Sequence, residues 1–288
     1  MTSLKWIDIT KGIGILLVIM GHNDFGSLSK TIIYTFHMPL FFFINGYLFH
    51  YVKYKQDTYG FIKGKFKRLV IPYFLTNIAI LCTFTFLFSL KLFSSFNANS
   101  PVENLIGILY GNVPSEKIAS ILTNSIDVPS WFLLSLFCAS LILYLIAYSH
   151  EIYGLAGSII LNIFIILFGY VISRYVFMPW GIDIACVSMI FMFSGYLINY
   201  YKISWPSNKS KSKYFFFISI LLLVAIITIN GSVDMSLRRY SNLALFGIGG
   251  LLGTYVITTI AKKISISENV LIRTLVFLGK NSIIIFLF

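Results

Sequence analysis

Asp8, Lys11 and His22 follow the spacing i, i+3, i+14 in a short apolar run near the N-terminus. With Ile15 and Val18 between them, they occupy one face of a helix. At roughly 1.5 Å per residue, Lys11 and His22 stand about 16 Å apart along that face. An imidazole works as a general base near neutral pH, and a polar stripe at membrane depth is a candidate lining for a tunnel. The plainer alternative is a local Asp8–Lys11 ion pair at one interface, with His22 capping the helix at the other. Gly12, Gly14 and Gly21 keep the surroundings of the stripe bare enough for neighbouring helices to approach.

His37 is expected to open the next helix just before Pro39, a residue tolerated in a first turn. Two of the four histidines would then meet at the same depth, with Asp24 close in sequence. His22, His37 and Asp24 are therefore the catalytic candidates. A two-histidine metal site is the rival reading, but a third ligand at a fixed spacing is missing, so no metal is expected.

Positioning these groups falls to an all-α, polytopic helical membrane protein. Of the 288 residues, 58% are hydrophobic and 11% charged, and the mean hydropathy is +0.86. Soluble domains carry about 25% charged residues, so this chain lacks the charge to cover a water-facing surface. Apolar runs long enough to span are Thr31–His50, Leu69–Leu90, Trp131–Tyr148, Ile152–Ser173, Ile184–Tyr201, Tyr214–Asn230 and Leu243–Ile260. A first helix over Trp6–Gly21 and a last one from Asn281, cut off at Phe288, bring the expected count to nine. The loop 91–129 holds two weakly amphipathic stretches, Val102–Tyr110 and Glu116–Leu122, suited to an interface. Cys82, Cys138 and Cys186 each sit in an apolar run and are read as helix filler.

The net charge of +12 is a topology signal. With the N-terminus in the cytoplasm, 16 of the 22 basic residues fall on the cytoplasmic side, while six of the ten acids fall outside. The positive-inside rule predicts that bias. It argues for a multi-pass protein of the inner or plasma membrane and against a nucleic-acid footprint. No cleavable signal is apparent, since the first run ends in Gly21-His22-Asn23-Asp24.

The chain resembles the acyltransferase 3 family of membrane O-acyltransferases. The resemblance rests on Ile7-Asp8-Ile9-Thr10-Lys11-Gly12 running to Gly21-His22, and on Phe36-His37-Met38-Pro39 running to Asn45-Gly46. It continues through Lys67-Arg68-Leu69-Val70-Ile71-Pro72-Tyr73, Ser130-Trp131-Phe132-Leu133, Pro179-Trp180-Gly181-Ile182-Asp183 with Gly195-Tyr196, and Gly279-Lys280-Asn281-Ser282. The set is in order and spans the whole chain; its wording is most similar to the branch labelled fucose 4-O-acetylase and related acetyltransferases. The resemblance implies one domain over residues 1–288, ten membrane helices with the last expected beyond Phe288, and acetyl transfer from cytoplasmic acetyl-CoA to a sugar hydroxyl. It implies acetyl-CoA as co-substrate with no bound cofactor, and a glycan acceptor as partner. The family's basic-x10-His motif falls on Lys11 and His22. Many members have Arg at position 11, a planar fork that Lys lacks, and many have Ser where this chain has Asn45.

In that scheme Lys63, Lys65, Lys67 and Arg68 suit the nucleotide phosphates, or simply anchor the topology. The pantetheine arm passes Asp8 and Lys11, and His22 acts as base or as a transient acyl carrier. Asn45 and Ser130 are candidate oxyanion donors, Ser130 having helix N-capping as its alternative. Trp131 either stacks on a sugar or belongs to the interfacial aromatic belt. Arg174 and Asp183 either bind the acceptor or pair with each other. A transporter or flippase is the rival class, since it too needs a charged helix face. Against it stands the lack of a detectable internal repeat.

Overall fold

The computed structural model describes residues 4–23, 26–90, 100–114, 122, 129–203 and 209–287. Among these the regular elements are helices, and Asp234 and Arg239 form an isolated antiparallel bridge in the loop between α10 and α11. The helices are α1 (Lys5–His22), α2 (Ser27–Tyr47), α3 (Tyr51–Tyr54), α4 (Thr58–Lys65), α5 (Ile71–Ser89), α6 (Pro101–Tyr110), α7 (Trp131–Ile172), α8 (Ile182–Val187), α9 (Met189–Tyr200), α10 (Lys209–Asn230), α11 (Leu243–Ile264), α12 (Val270–Lys280) and α13 (Ser282–Leu287). A π-helical turn, Phe66–Val70, joins α4 to α5, so the helix runs on through Lys67 and Arg68.

Four helical stretches are long and apolar enough to cross a bilayer: Thr58–Leu87, Trp131–Ile172, Lys213–Asn230 and Leu243–Ile264. A fifth arises if Pro179–Val187 and Met189–Tyr200, which meet at a 58° bend, form one span. Their outer faces remain apolar, with Ile160 69%, Phe164 67% and Leu221 70% exposed, as lipid-facing helices require.

Several expected boundaries move. α2 starts at Ser27 rather than Thr31, which puts Pro39 inside the helix and His37 in its middle. The runs expected as Trp131–Tyr148 and Ile152–Ser173 join into one helical stretch broken only at Gly154, whose φ of 67° and ψ of −166° leave the helical region. Contacts trace the resulting hairpin. Ser135 reaches Trp180, Glu151 pairs with Lys55 far from there, and Tyr170 returns to lie tilted against Tyr240. The last helix, α13, begins at Ser282 as expected, but α12 (Val270–Lys280), which is not among the expected runs, precedes it, with Asn281 as the break between them. The amphipathic stretch Val102–Tyr110 is α6, opened by a capping box between Ser100 and Glu103. Of Glu116–Leu122, all but Leu122 lies outside the described residues. Cys138 and Cys186 are buried, while Cys82 is exposed on the outer face.

The bundle has two distinct ends. At one, Trp6 packs edge-on against Tyr47 with Lys262 over its other face, Lys5 pairs with Glu268, and Thr58 bonds Tyr144. At the other end lie His22, Lys30, Trp131, Asp234 and the segments around Asn112 and Trp180. α1 joins the two ends, flanked by α2, α11 and α12. Its 18 residues cover about 27 Å, and it carries Asp8, Lys11 and His22 along its length. Gly12 and Gly279 allow the backbones of α1 and α12 to touch, and Gly46 and Gly195 do the same for α2 and α9.

Candidate active site

His22 occupies the last turn of α1 and lines two adjoining cavities. One, of about 340 Å³, is the more polar: Lys30, Tyr34 and His37 come from α2, and Asp234 and Ser236 from the loop between α10 and α11, set among apolar residues that include Met38, Val113 and Leu237. The other, of about 440 Å³, is walled by Ile15, Ile19, Ile80, Phe84, Ile285 and Leu287 and runs down α1 between α5 and α13. His22, Val18, Pro129 and Phe286 belong to both. The imidazole therefore stands where a polar lobe meets an apolar one.

Among the described residues neither ring nitrogen of His22 has a hydrogen-bond partner, and the residue is exposed to the cavities. Its electrostatic neighbours are Lys30 and Asp234. Tyr34 lies near both imidazoles, its ring centroid 6.4 Å from that of His22 and 4.9 Å from that of His37. His37 is buried, and its Nδ1 donates to the Ile33 carbonyl at 2.8 Å. That bond places the proton on Nδ1 and leaves Nε2 as an acceptor. The pair expected from sequence is thus present in one cavity, with the Tyr34 phenol beside both.

The stripe below His22 is packed. Ile15 and Val18 are 1% and 8% exposed, and the apolar lobe ends at Ile15, about one turn short of Lys11. Asp8 is buried where α1 crosses α12, beside Gly279, and acts electrostatically on Lys11. Neither Asp8 nor Lys11 lines either lobe. Lys67 and Arg68 are exposed on the π-helical turn, away from both lobes.

Trp131 alone of the acceptor and oxyanion candidates lines the polar lobe. Asn45 turns its amide back onto the Phe41 carbonyl at 3.0 Å. Ser130 precedes α7 without a side-chain cap bond, and its hydroxyl accepts from Asn77 at 3.2 Å. The pairing expected between Arg174 and Asp183 is replaced. Asp183 is held by Arg238, from Nε at 2.7 Å and from the guanidinium terminus at 3.1 Å, with both side chains essentially inaccessible. Arg174 instead bonds and stacks on Tyr170. Arg238 won because its loop folds inward over Phe177, a tertiary choice that local spacing does not reveal. Asp24 lies outside the described residues.

The Arg238 cluster sets the wall of the polar lobe. Its guanidinium also donates to Asn112 and to the Ser236 carbonyl, each at 2.6 Å. Asn112 in turn donates to Met178, Tyr110 to Phe177 and Trp180 to Leu109. These bonds staple together the segments after α6, before α8 and after α10. The backbone pair Asp234–Arg239, 2.8 Å in both directions, then fixes where Asp234 stands.

Sequence reasoning missed Tyr34, Lys30 and Asp234. Lys30, Tyr34 and His37 repeat at i, i+4, i+7, a one-face pattern that would have found the first two. Nothing local distinguishes Asp234 from other outer-loop acids.

Comparison with curated proteins and with solved structures finds no match. A family model described as an acyltransferase domain (Acyl_transf_3) matches residues 4–288. A chain matched over nearly its full length, with apolar helices fit to cross a bilayer and an exposed imidazole between two cavities, belongs to this acyltransferase family.

Proposed function

We propose that this acyltransferase moves acetyl from cytoplasmic acetyl-CoA to a hydroxyl of a surface polysaccharide or its lipid-linked precursor, in the inner or plasma membrane. The observation that carries the reading is the position of His22, unpaired among the described residues and shared by one polar and one apolar cavity. A thioester arm suits the apolar lobe, and a hydroxylated acceptor suits the polar one. Donor and acceptor can then be held at one imidazole together, which favours direct transfer.

His22 takes the proton of the acceptor hydroxyl as that oxygen attacks the thioester carbonyl. Collapse of the tetrahedral adduct forms the ester and breaks the carbon–sulfur bond, and the imidazolium returns its proton to the departing thiolate. The orientation follows from the basic end of the bundle, where Lys53, Lys55, Lys63, Lys65, Lys67 and Arg68 gather. These cations, at the end opposite the His22 cavities, suit the anionic nucleotide of the donor electrostatically, while the α1 face between Lys11 and the apolar lobe is packed and offers the arm no route.

Mass spectrometry of the surface glycan from cells with and without the chain tests the activity. Acetyl-mass additions that require the chain and disappear in His22→Ala, with the variant still inserted in the membrane, are expected. An identical acetyl pattern without the chain would reject the assignment.

A further inference from the structure

Among the described residues, Asp234 is the one carboxylate lining the cavity with His22. Its Oδ1 accepts from the Ser236 hydroxyl at 2.6 Å and from the Leu237 amide at 3.2 Å. Its Oδ2 has no partner among the described residues. The carboxylate acts electrostatically on both His22 and Tyr34, yet no hydrogen bond or ion pair joins it to either among the described residues. A carboxylate that oriented the imidazole would bond it directly. The two groups instead leave a space between them, within the cavity they both line.

The position is firmly held. Two backbone bonds tie Asp234 to Arg239, and four residues further along Arg238 anchors the loop through the buried Asp183 and Asn112. Opposite stands the Tyr34 ring, with the Lys30 ammonium 5.3 Å from its centroid. A carboxylate oxygen, an aromatic face and an ammonium around one polar space match a polyhydroxylated ring: the anion accepts its hydroxyls and the aromatic covers its C–H face.

We propose that Asp234 is the acceptor-binding residue, its Oδ2 accepting one hydroxyl of a polyol so that a neighbouring hydroxyl meets His22. The inference rests on the acyl-transfer reading and deepens it, assigning acceptor selection to the loop between α10 and α11. It requires the carboxylate to act on the acceptor and not on the donor.

The test uses the full chain in lipid nanodiscs, with acetyl-CoA and the surface glycan isolated from cells that lack the chain. Asp234→Asn keeps an Oδ1 for Ser236 and Leu237 and removes only the charge and the free acceptor oxygen. A lost charge-assisted hydrogen bond predicts an acceptor KM raised about 10- to 100-fold, with the donor KM within about twofold. Arg239→Gln, in the same loop but outside the cavity, is the control and is expected to leave both constants in place. An unchanged acceptor KM in Asp234→Asn overturns the proposal, as does an equal rise in the donor KM, a fall in kcat alone, or the same rise in Arg239→Gln. Absence of transfer by the wild type rejects the underlying reading, and this proposal with it.

Discussion

The backbone of Leu275 lies over the Cα of Gly12, so that α1 and α12 meet with no side chain between them. Gly279 repeats the contact about one turn along, against the carbonyl of Asp8, and the pairing makes the two helices antiparallel. A Cβ at Gly12 would collide with the Leu275 carbonyl oxygen, a backbone atom that no rotamer change removes. Gly12→Ala is expected to destabilise the bundle by about 2–3 kcal/mol, the upper part of the range for overpacking. Thermal unfolding in detergent checks this, and a melting temperature equal to wild type would show that α12 is not docked as described.

Removing the proposed base gives the largest effect. His22→Gln is expected to lower kcat about 10²- to 10⁴-fold, the usual range for a lost general base. His37→Asn, which keeps a donor for the Ile33 carbonyl, is expected to cost far less, because that ring is buried with its Nδ1 committed to the backbone. Initial-rate measurements on both variants decide the ranking, and equal losses would make the two imidazoles a functional unit.

The Arg238–Asp183 pair predicts a stability effect with a recognisable signature. Arg238→Met leaves the Asp183 carboxylate buried without its guanidinium and is expected to cost about 3–5 kcal/mol. The double variant Arg238→Met, Asp183→Leu removes both charges and is expected to regain much of that loss. A double-mutant cycle read by thermal unfolding measures the coupling, and strict additivity would show that the charges do not interact.

At the opposite end, the hydrogen bond and charge of Lys5 hold the exposed Glu268 carboxyl below its ordinary value of 4.5. A carboxyl whose folded-state value is depressed adds stability above its unfolded value and loses it as pH falls through the folded one. Glu268→Gln is therefore expected to lower the melting temperature slightly near pH 7. The difference should fade as the pH drops through and below the acidic side of 4.5. A gap that stayed constant down to pH 3 would remove Lys5 as its cause.

Much of this was legible in the sequence. Runs of about 20 apolar residues dictated α5, α10 and α11 to within a few positions, because backbone satisfaction in lipid leaves little choice but a helix. The meeting of His22 and His37 is expected from a helix start at His37; the two do line one cavity, but with His37 in the middle of α2. The sequence misled where tertiary packing overrode local rules. Pro39 argued for a helix start, yet α2 runs through it, embraced by Gly250 of α11. Asp183 has Arg174 as its sequence neighbour but takes Arg238, 55 residues away. Asp234 gained its place through that same choice, which no spacing rule encodes.

That buried guanidinium has one more consequence. Mobile ions screen charges they can reach, and with side chains 1% and 0% accessible this pair lies beyond them. The wall carrying Asp234 is thereby insulated from the medium: changes in salinity that loosen surface bridges such as Lys55–Glu151 should leave its shape intact.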